Sequence, residues 1–544
     1  MTKISTLFFL LLLSVSCQSR SSLRAEIEQV ELPVLTCKEF NPLFKIVVIG
    51  DSLPLGAGIS SLLFDFGGTT DLGDIARVEL FGVTDQGYMD RSDGSLLCLE
   101  GVGDSRVRLL GDVRLRGDTT CFWLSVTLCD RVDLDNRISA QLLSIDAYDG
   151  QVLVDDYQAK ALRTGVALRQ HGQDGVDTSR IPGLVTSTTG TLLAIYDARW
   201  DSSRDLQGDI DIGLNRSLDG GETWLPMQIA IDMGEWGGLP QKYNGVSDGT
   251  LLVDALTGDI YITGLWMHGV LDGENGQWIE GLTPQSDQWI HQWHSRGSQA
   301  GLDPKQTSQF MIVKSVDDGL TWSEPVNITS QTKRSQWWLF APAPGHGITL
   351  SDGTLVLPTQ GRDSVGLPFS NITYSLDRGE SWITSNPAYD NTTECMAVEL
   401  LDGSIMLNMR DNRNRANPDG NGRRICVTHD LGESWQEHSS SRGALIEPTC
   451  MASIHRHHYI QDGEQKSLLV FCNPNSVYNR DHITIKVSYD DGESWPEQKW
   501  ILLDEYSGRG YSCLTSVDQD NIGVVYESSQ ADLVFQKISL DELL

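Results

Sequence analysis

An all-β fold, a six-bladed β-propeller preceded by a β-sandwich, is what the 544-residue sequence predicts. Three observations carry that prediction. An octapeptide, Ser/Thr-x-Asp-x-Gly-x-Thr/Ser-Trp, recurs five times, as SLDGGETW at 217–224, SVDDGLTW at 315–322, SLDRGESW at 375–382, THDLGESW at 428–435 and SYDDGESW at 488–495. A turn dipeptide followed by a β-rich run recurs six times after residue 165. The stretch before residue 160 alternates apolar and polar residues between Gly-Asp turns and holds no octapeptide.

In chain order, the first segment is an address. Lys3 precedes an apolar run at residues 7–13, and Ser14, Val15 and Ser16 lead to Cys17. This is a secretory signal pattern, too short to span a bilayer. Cys17 after small residues also fits a lipoprotein cleavage site, so plain export and a lipid anchor at Cys17 both stay open. The expected location is extracytoplasmic: periplasmic, anchored at an outer membrane, or secreted. No later segment has the length and apolarity of a membrane span.

Residues 18–160 form the expected accessory domain. Runs such as CFWLSVTLC at 121–129 and ISAQLLSIDAYDGQVLV at 138–154 predict strands, and a sandwich accommodates them. Buttressing the propeller is the favoured role, because no exposed aromatic platform for glycans is legible. None of the ten cysteines has CxxC spacing. Cys121 and Cys129 are placed to pair across a hairpin, while small buried hydrophobes is the reading for most. His291, His294 and the run His455-Arg-His-His458 lack a further ligand at metal-site spacing and read as loop and surface histidines. No metal and no cofactor is expected.

The propeller is expected over residues 165–544. Octapeptide starts are separated by 98, 60, 53 and 60 residues, which suits one four-stranded blade per repeat. The octapeptide is itself a turn: Asp accepts bonds from the next backbone N–H groups, Gly takes a conformation other residues avoid, and Trp packs between sheets. Five equivalent active sites on one chain are implausible, so these aspartates read as structural. The six turn dipeptides are Thr189-Gly190, Thr257-Gly258, Asp352-Gly353, Asp402-Gly403, Asp462-Gly463 and Asp520-Asn521. Six turns against five octapeptides predict six blades, one without the motif. The long first gap holds an insertion around 266–310 with Trp266, Trp278, Trp289 and Trp293.

Hairpin geometry points to the chemistry. The start of one strand and the end of the next lie side by side, opposite their turn. Around Gly190 those ends are Arg180 and Arg199, around Gly403 Glu394 and Arg410, around Asn521 Tyr511 and Glu527. As inner strands of successive blades they converge on one mouth of the channel. Arg480 belongs to the same face.

The octapeptides together with Arg180-Ile-Pro resemble the bacterial exo-α-sialidases (neuraminidases), six-bladed propellers with Asp-box (BNR) repeats, over about two-thirds of the chain. The resemblance implies that Arg180, Arg410 and Arg480 bind a carboxylate. It makes Tyr511 the nucleophile, Glu394 its base, and Asp205, six residues after Arg199, the acid/base. Asp201 and Asp209 are rivals for that last role. It further implies that Glu527 steadies Arg180, that Arg199 lines the sugar pocket, that Asp248 contacts a sugar hydroxyl and that Trp266 lines the N-acyl pocket. The activity implied is retaining hydrolysis of terminal sialic acids from glycoproteins, glycolipids and oligosaccharides. A trans-sialidase and a non-catalytic sialic-acid-binding propeller are the alternatives, the second disfavoured because binding needs only the arginines.

The residue types suit that chemistry. Guanidinium groups pair with a carboxylate through charge-assisted bonds. Tyrosine replaces the usual carboxylate nucleophile of glycosidases, since a neutral phenol escapes repulsion by an anionic centre. The formal net charge of −33 argues against nucleic acid and against anionic surfaces. It does not argue against an anionic sugar, because charge is screened within roughly 8–10 Å and three clustered arginines make a local positive pocket.

Overall fold

In the computed structural model, residues 23–50, 58–82, 96–115, 118–148, 150–206, 208–237, 241–268, 298–304 and 306–544 are described. The signal segment and Cys17 lie outside the described residues, as do Trp278, Trp289, Trp293, His291 and His294.

The N-terminal strands form one nine-stranded sheet that runs from Leu97–Glu100 to Arg106–Arg114. Its two halves join where Arg24–Gln29 pairs in parallel with Gly150–Val154. The halves face each other across a core that includes Phe44, Ile46, Leu62, Phe64, Phe122 and Leu124. Each such side chain contributes about 1.5–3 kcal/mol by leaving water. The sandwich is rolled nearly into a barrel: a Cβ on Gly111, in the last strand, would lie 2.1 Å from Leu97 in the first. Cys121 and Cys129 do not face each other across a hairpin. They stand at opposite ends of the single strand Thr119–Leu128 and its following residue, and both are free thiols. Eight residues of extended chain span about 26 Å, far beyond disulfide reach.

Six four-stranded units follow. The inner strands are Thr178–Thr186, Asn244–Val253, the interrupted stretch 339–349, Thr392–Glu399, Ser453–Gln461 and Ser512–Ser516. Each pairs antiparallel with the next strand of its blade. The octapeptides link third to fourth strands in blades one to five. The sixth blade has no octapeptide for a topological reason. Its fourth strand is Ala161–Arg169, from the chain before the propeller, paired antiparallel with Leu533–Ser539. That strand is in turn flanked in parallel by Val34–Thr36 of the N-terminal domain. Glu542, near the C-terminus, accepts from Arg137 and Arg163. The ring closure and the domain contact are therefore one continuous sheet.

The octapeptide turns are locally satisfied. Asp219 accepts from Ser217 Oγ (2.9 Å), Thr223 N (3.0 Å) and Thr223 Oγ1 (2.7 Å). Asp317, Asp377, Asp430 and Asp490 repeat the pattern. The next residue reaches the preceding blade in three turns. Asp318 accepts from Thr189, Thr191 and Arg216, Arg378 pairs with Asp254 at 3.1 Å, and Asp491 accepts from Leu401 N. Trp224 packs edge-on against Phe535 of the sixth blade at 5.2 Å, and Trp382 against Tyr261 of the second at 6.4 Å.

The run 455–458 is not a loop, and of its three histidines only His458 is at the surface. It lies in the inner strand Ser453–Gln461, where His457 is fully buried. His455 Nε2 and His457 Nδ1 both meet Ser516 Oγ, at 2.9 and 2.8 Å. Its polar residues face the adjacent blade's polar edge, which alternation alone does not reveal. Among the described residues no group of three or more His, Cys, Asp or Glu is arranged to hold a metal.

Candidate active site

Inner strands bend where they reach the mouth. The pairing register shifts between Arg180 and Gly183, between Ser247 and Thr250, and between Thr392 and Cys395. Such bulges re-aim side chains. Ile181 (φ 60°) and Asp248 (φ 55°) sit in the left-handed region inside two of them. A β-branched residue there is strained, of order 1–3 kcal/mol, and persists only when its surroundings over-determine it. The determinant at Ile181 is its N–H, which donates to Glu527 Oε1 at 3.0 Å.

Glu527 organises one side of the mouth. Its carboxylate takes Arg180 Nε at 2.9 Å, Arg180 Nη2 at 3.1 Å and Tyr511 N at 3.0 Å. Burial alone would raise its pKa, but the Arg180 charge and these bonds hold it below the usual carboxylate range. It is fully buried, so the pair with Arg180 is a geometric fixture.

Tyr511 stands at the centre. Its hydroxyl donates to Glu394 Oε1 and accepts from Arg410 Nη1 at 3.2 Å. Arg410 Nη1 also binds Glu394 Oε2. The guanidiniums of Arg180 and Arg480 flank the phenol ring, 5.5 and 5.4 Å from its centroid. Arg480 is held by the Arg509 carbonyl at 2.9 Å. Burial, reinforced by the Glu394 charge, lifts the Tyr511 pKa well above its ordinary value and outweighs Arg410 and Arg480, so the resting phenol is neutral. Arg410 Nε is buried with no hydrogen-bond partner among the described residues.

The opposite side is built on Asp197. Fully buried, it accepts from Arg199 Nη2 at 2.8 Å, Arg199 Nε at 3.2 Å, Ser247 Oγ at 2.6 Å and Asp248 N at 3.2 Å. The remaining nitrogen, Arg199 Nη1, donates to Ser203 O at 2.8 Å and Asp205 Oδ1 at 2.5 Å. Asp205 also lies 3.5 Å from Arg180 Nη1, with its side chain 53% exposed. Desolvation would raise its pKa, but Arg199 and Arg180 keep it below the usual range. Asp248 accepts from Gln360 Nε2 at 3.3 Å. Burial, then the charges of Glu394, Asp197 and Asp205, push its pKa well up.

The mouth thus brings together Arg180, Arg199, Asp205, Asp248, Glu394, Arg410, Arg480, Tyr511 and Glu527. Trp266 is placed elsewhere. It is fully buried in its blade, edge-on to Trp236 at 4.5 Å and among Ile212, Val246 and Ile262, so its ring faces core rather than an open pocket. Of the rivals to Asp205, Asp201 is exposed. Asp209 is pushed up to about 6 by burial and by Asp232 and Asp201, and among the described residues no arginine pairs with it. Asp197, Ser247 and Gln360 carry no role in the sequence reading. The only signal for Asp197 was its position two residues before Arg199, on the same face of a strand.

A BNR repeat-like domain model matches residues 181–493. The chain is similar to a sialidase of Bacteroides fragilis (strain YCH46), 41% identical over 442 residues, which covers 81% of this chain and 77% of that protein. Among solved structures, it is similar to the Hadza microbial sialidase Hz136 at a TM-score of 0.84 and 36% identity, across 95% of this chain and 100% of that one. It shares its fold with Trypanosoma rangeli sialidase, solved in complex with 2,3-difluorosialic acid as a covalent intermediate. There the TM-score is 0.53 at 22% identity, over 70% of this chain and 58% of that one.

Proposed function

The chain belongs to the sialidase family and is a glycoside hydrolase, and from that premise we propose that it is a retaining exo-α-sialidase working through a tyrosyl–glycosyl intermediate. The observation that carries this reading is the Tyr511 hydroxyl, donated to Glu394 and bonded by Arg410, between the guanidiniums of Arg180 and Arg480. A nucleophile hydrogen-bonded to a base that a third group orients is the arrangement covalent catalysis requires.

Arg180, Arg410 and Arg480 take the sugar carboxylate through charge-assisted hydrogen bonds. Tyr511 Oη attacks the anomeric carbon and its proton passes to Glu394. The glycosidic C–O bond breaks as Asp205 gives its proton to the leaving oxygen. In the second step water attacks the same carbon and gives its proton to Asp205. The Tyr511–carbon bond breaks and the phenolate recovers its proton from Glu394. Two displacements give net retention. Asp205 must be protonated for the first step, whereas Arg199 and Arg180 hold it ionised at rest. The substrate carboxylate offsets the arginine charge and so raises its pKa on binding. Asp248, whose pKa burial and the neighbouring carboxylates push well up, is suited to meet a sugar hydroxyl.

Terminal sialic acids on glycoproteins, glycolipids and oligosaccharides are the proposed substrates. Residues 1–17 are read as an export signal, so the enzyme meets them outside the cytoplasm; among the described residues no helix is long and apolar enough to cross a membrane. The test is Tyr511→Phe, assayed on an aryl sialoside, with the anomer released by the parent enzyme followed by NMR. A loss of about 10³-fold or more with unchanged melting, and α-sialic acid as first product, are expected. Near-normal turnover by the variant, or the inverted anomer, overturns the mechanism.

A further inference from the structure

Arg199 makes the short hydrogen bonds that join the acid/base loop to the rest of the mouth, and Arg180 adds a longer ion pair to Asp205 at 3.5 Å. Arg199 Nε and Nη2 are committed to Asp197, and its Nη1 holds both the Ser203 carbonyl and the Asp205 carboxylate. Both bonds to Asp197 end on one oxygen, Oδ2, which aims that edge of the planar guanidinium and limits its rotation. The direction in which Nη1 points, and with it the position of the 203–205 backbone, is therefore set by Asp197. That carboxylate is in turn fixed by Ser247 Oγ and Asp248 N of the second blade, and Asp248 by Gln360 of the third. A chain of contacts runs from the third blade to Asp205. Its hydrogen bonds include neither the Glu394–Arg410–Tyr511 cluster nor Glu527, which it meets through the 3.5 Å Asp205–Arg180 ion pair.

We propose that Asp197, oriented by Ser247, is the positioning residue for the acid/base Asp205, acting through Arg199. This rests on the assignment of Asp205 made above. Asp197 also divides the attention of Arg199 between two carboxylates. Without it, the whole charge of Arg199 falls on Asp205, which then holds its proton less well. A poorer acid matters for substrates whose leaving oxygen needs a proton and little for those that leave unaided.

The experiment compares kcat/KM on sialyllactose and on para-nitrophenyl sialoside for Asp197→Asn and Ser247→Ala, each also in an Asp205→Asn background. Asp197→Asn is expected to lose about 100-fold on sialyllactose, the scale of a misplacement near 1 Å, and less than about 5-fold on the aryl sialoside. Its alkaline limb should move to lower pH, because the acid deprotonates earlier. Ser247→Ala should follow in the same direction at about 10-fold or less, and it leaves the Asp197–Arg199 pair in place should Asp197→Asn fold poorly. In the Asp205→Asn background neither substitution should widen the gap between the substrates. Equal losses on both substrates, a change confined to KM, or a further selective loss in that background overturns the proposal. If Asp205→Asn itself loses equally on both substrates, the acid/base assignment falls first, and the positioning role with it.

Discussion

At the rim that carries the octapeptides, Asp219 finds its partners at Ser217 and Thr223, no more than four residues away. At the opposite rim, Glu527 is bonded to Arg180 across 347 residues, and Tyr511 to Glu394 across 117. Both rims are built from carboxylates, hydroxyls and backbone N–H groups. The first satisfies them locally, five times over, and each turn can form before its neighbours. The second satisfies them only when the ring is closed, and it buries the charges. A buried charge left without its partner costs far more than an exposed turn left without its aspartate. The difference explains why one rim can repeat and the other cannot. Local closure tolerates copying, whereas the mouth needs a different residue from each blade.

Three substitutions probe that contrast. The largest effect is expected from Glu527→Gln, which leaves Arg180 buried without its counter-charge. Stability should fall by about 3–5 kcal/mol and activity per folded molecule should fall as well. Denaturant unfolding with active-site titration checks both, and a stability like the parent's would erase the distinction between rims. Asp219→Ala should cost about 1 kcal/mol, with activity per folded molecule unchanged. Its pKa is lowered because its bonds to Thr223 and Ser217 outweigh desolvation. That contribution is present above the ordinary carboxylate value and is lost as pH falls through the lowered one. A selective loss of activity would show that the turns serve catalysis directly. An effect of opposite sign, and dependent on pH, is expected from Lys486→Met, in the third strand of the fifth blade. The Lys486 amine is buried without a hydrogen-bond partner among the described residues, 4.6 Å from the centroid of the Trp500 ring, and burial pushes it down to about 7. Between that value and 10.5 the unfolded chain binds the extra proton, so the parent gains stability as pH rises. The variant should melt a few degrees higher at pH 6 and no differently above pH 10. A gain independent of pH would contradict a titrating lysine.

What could be read in advance follows the same division. The octapeptides, the six turns and the pairing of strand ends are local or periodic, so the ring and the convergence of Arg180, Arg410, Glu394, Tyr511 and Glu527 were legible. Asp197 was not, since its meaning depends on Ser247, 50 residues on. Trp266 was misplaced because an aromatic residue before an insertion looks the same whether it faces a pocket or a core. The histidines at 455 and 457 were misjudged because their partner, Ser516, belongs to another blade. The missing sixth octapeptide was counted correctly. Its cause, a fourth strand supplied by residues 161–169, became visible only in the closed ring.

That closure also sets a schedule. Tyr511 and Glu527 emerge more than 340 residues after the strand that completes their blade, Ala161–Arg169, which is among the first of the propeller. During synthesis the early strand waits, its edge unpaired, while more than 360 further residues are added before Leu533–Ser539 arrives to cover it. Val34–Thr36 already lines its other edge. The N-terminal domain can thus hold the waiting strand against the wrong partners, and no truncated chain lacking the sixth blade carries Tyr511 or Glu527. The mouth is complete only when Leu533–Ser539 has joined the ring.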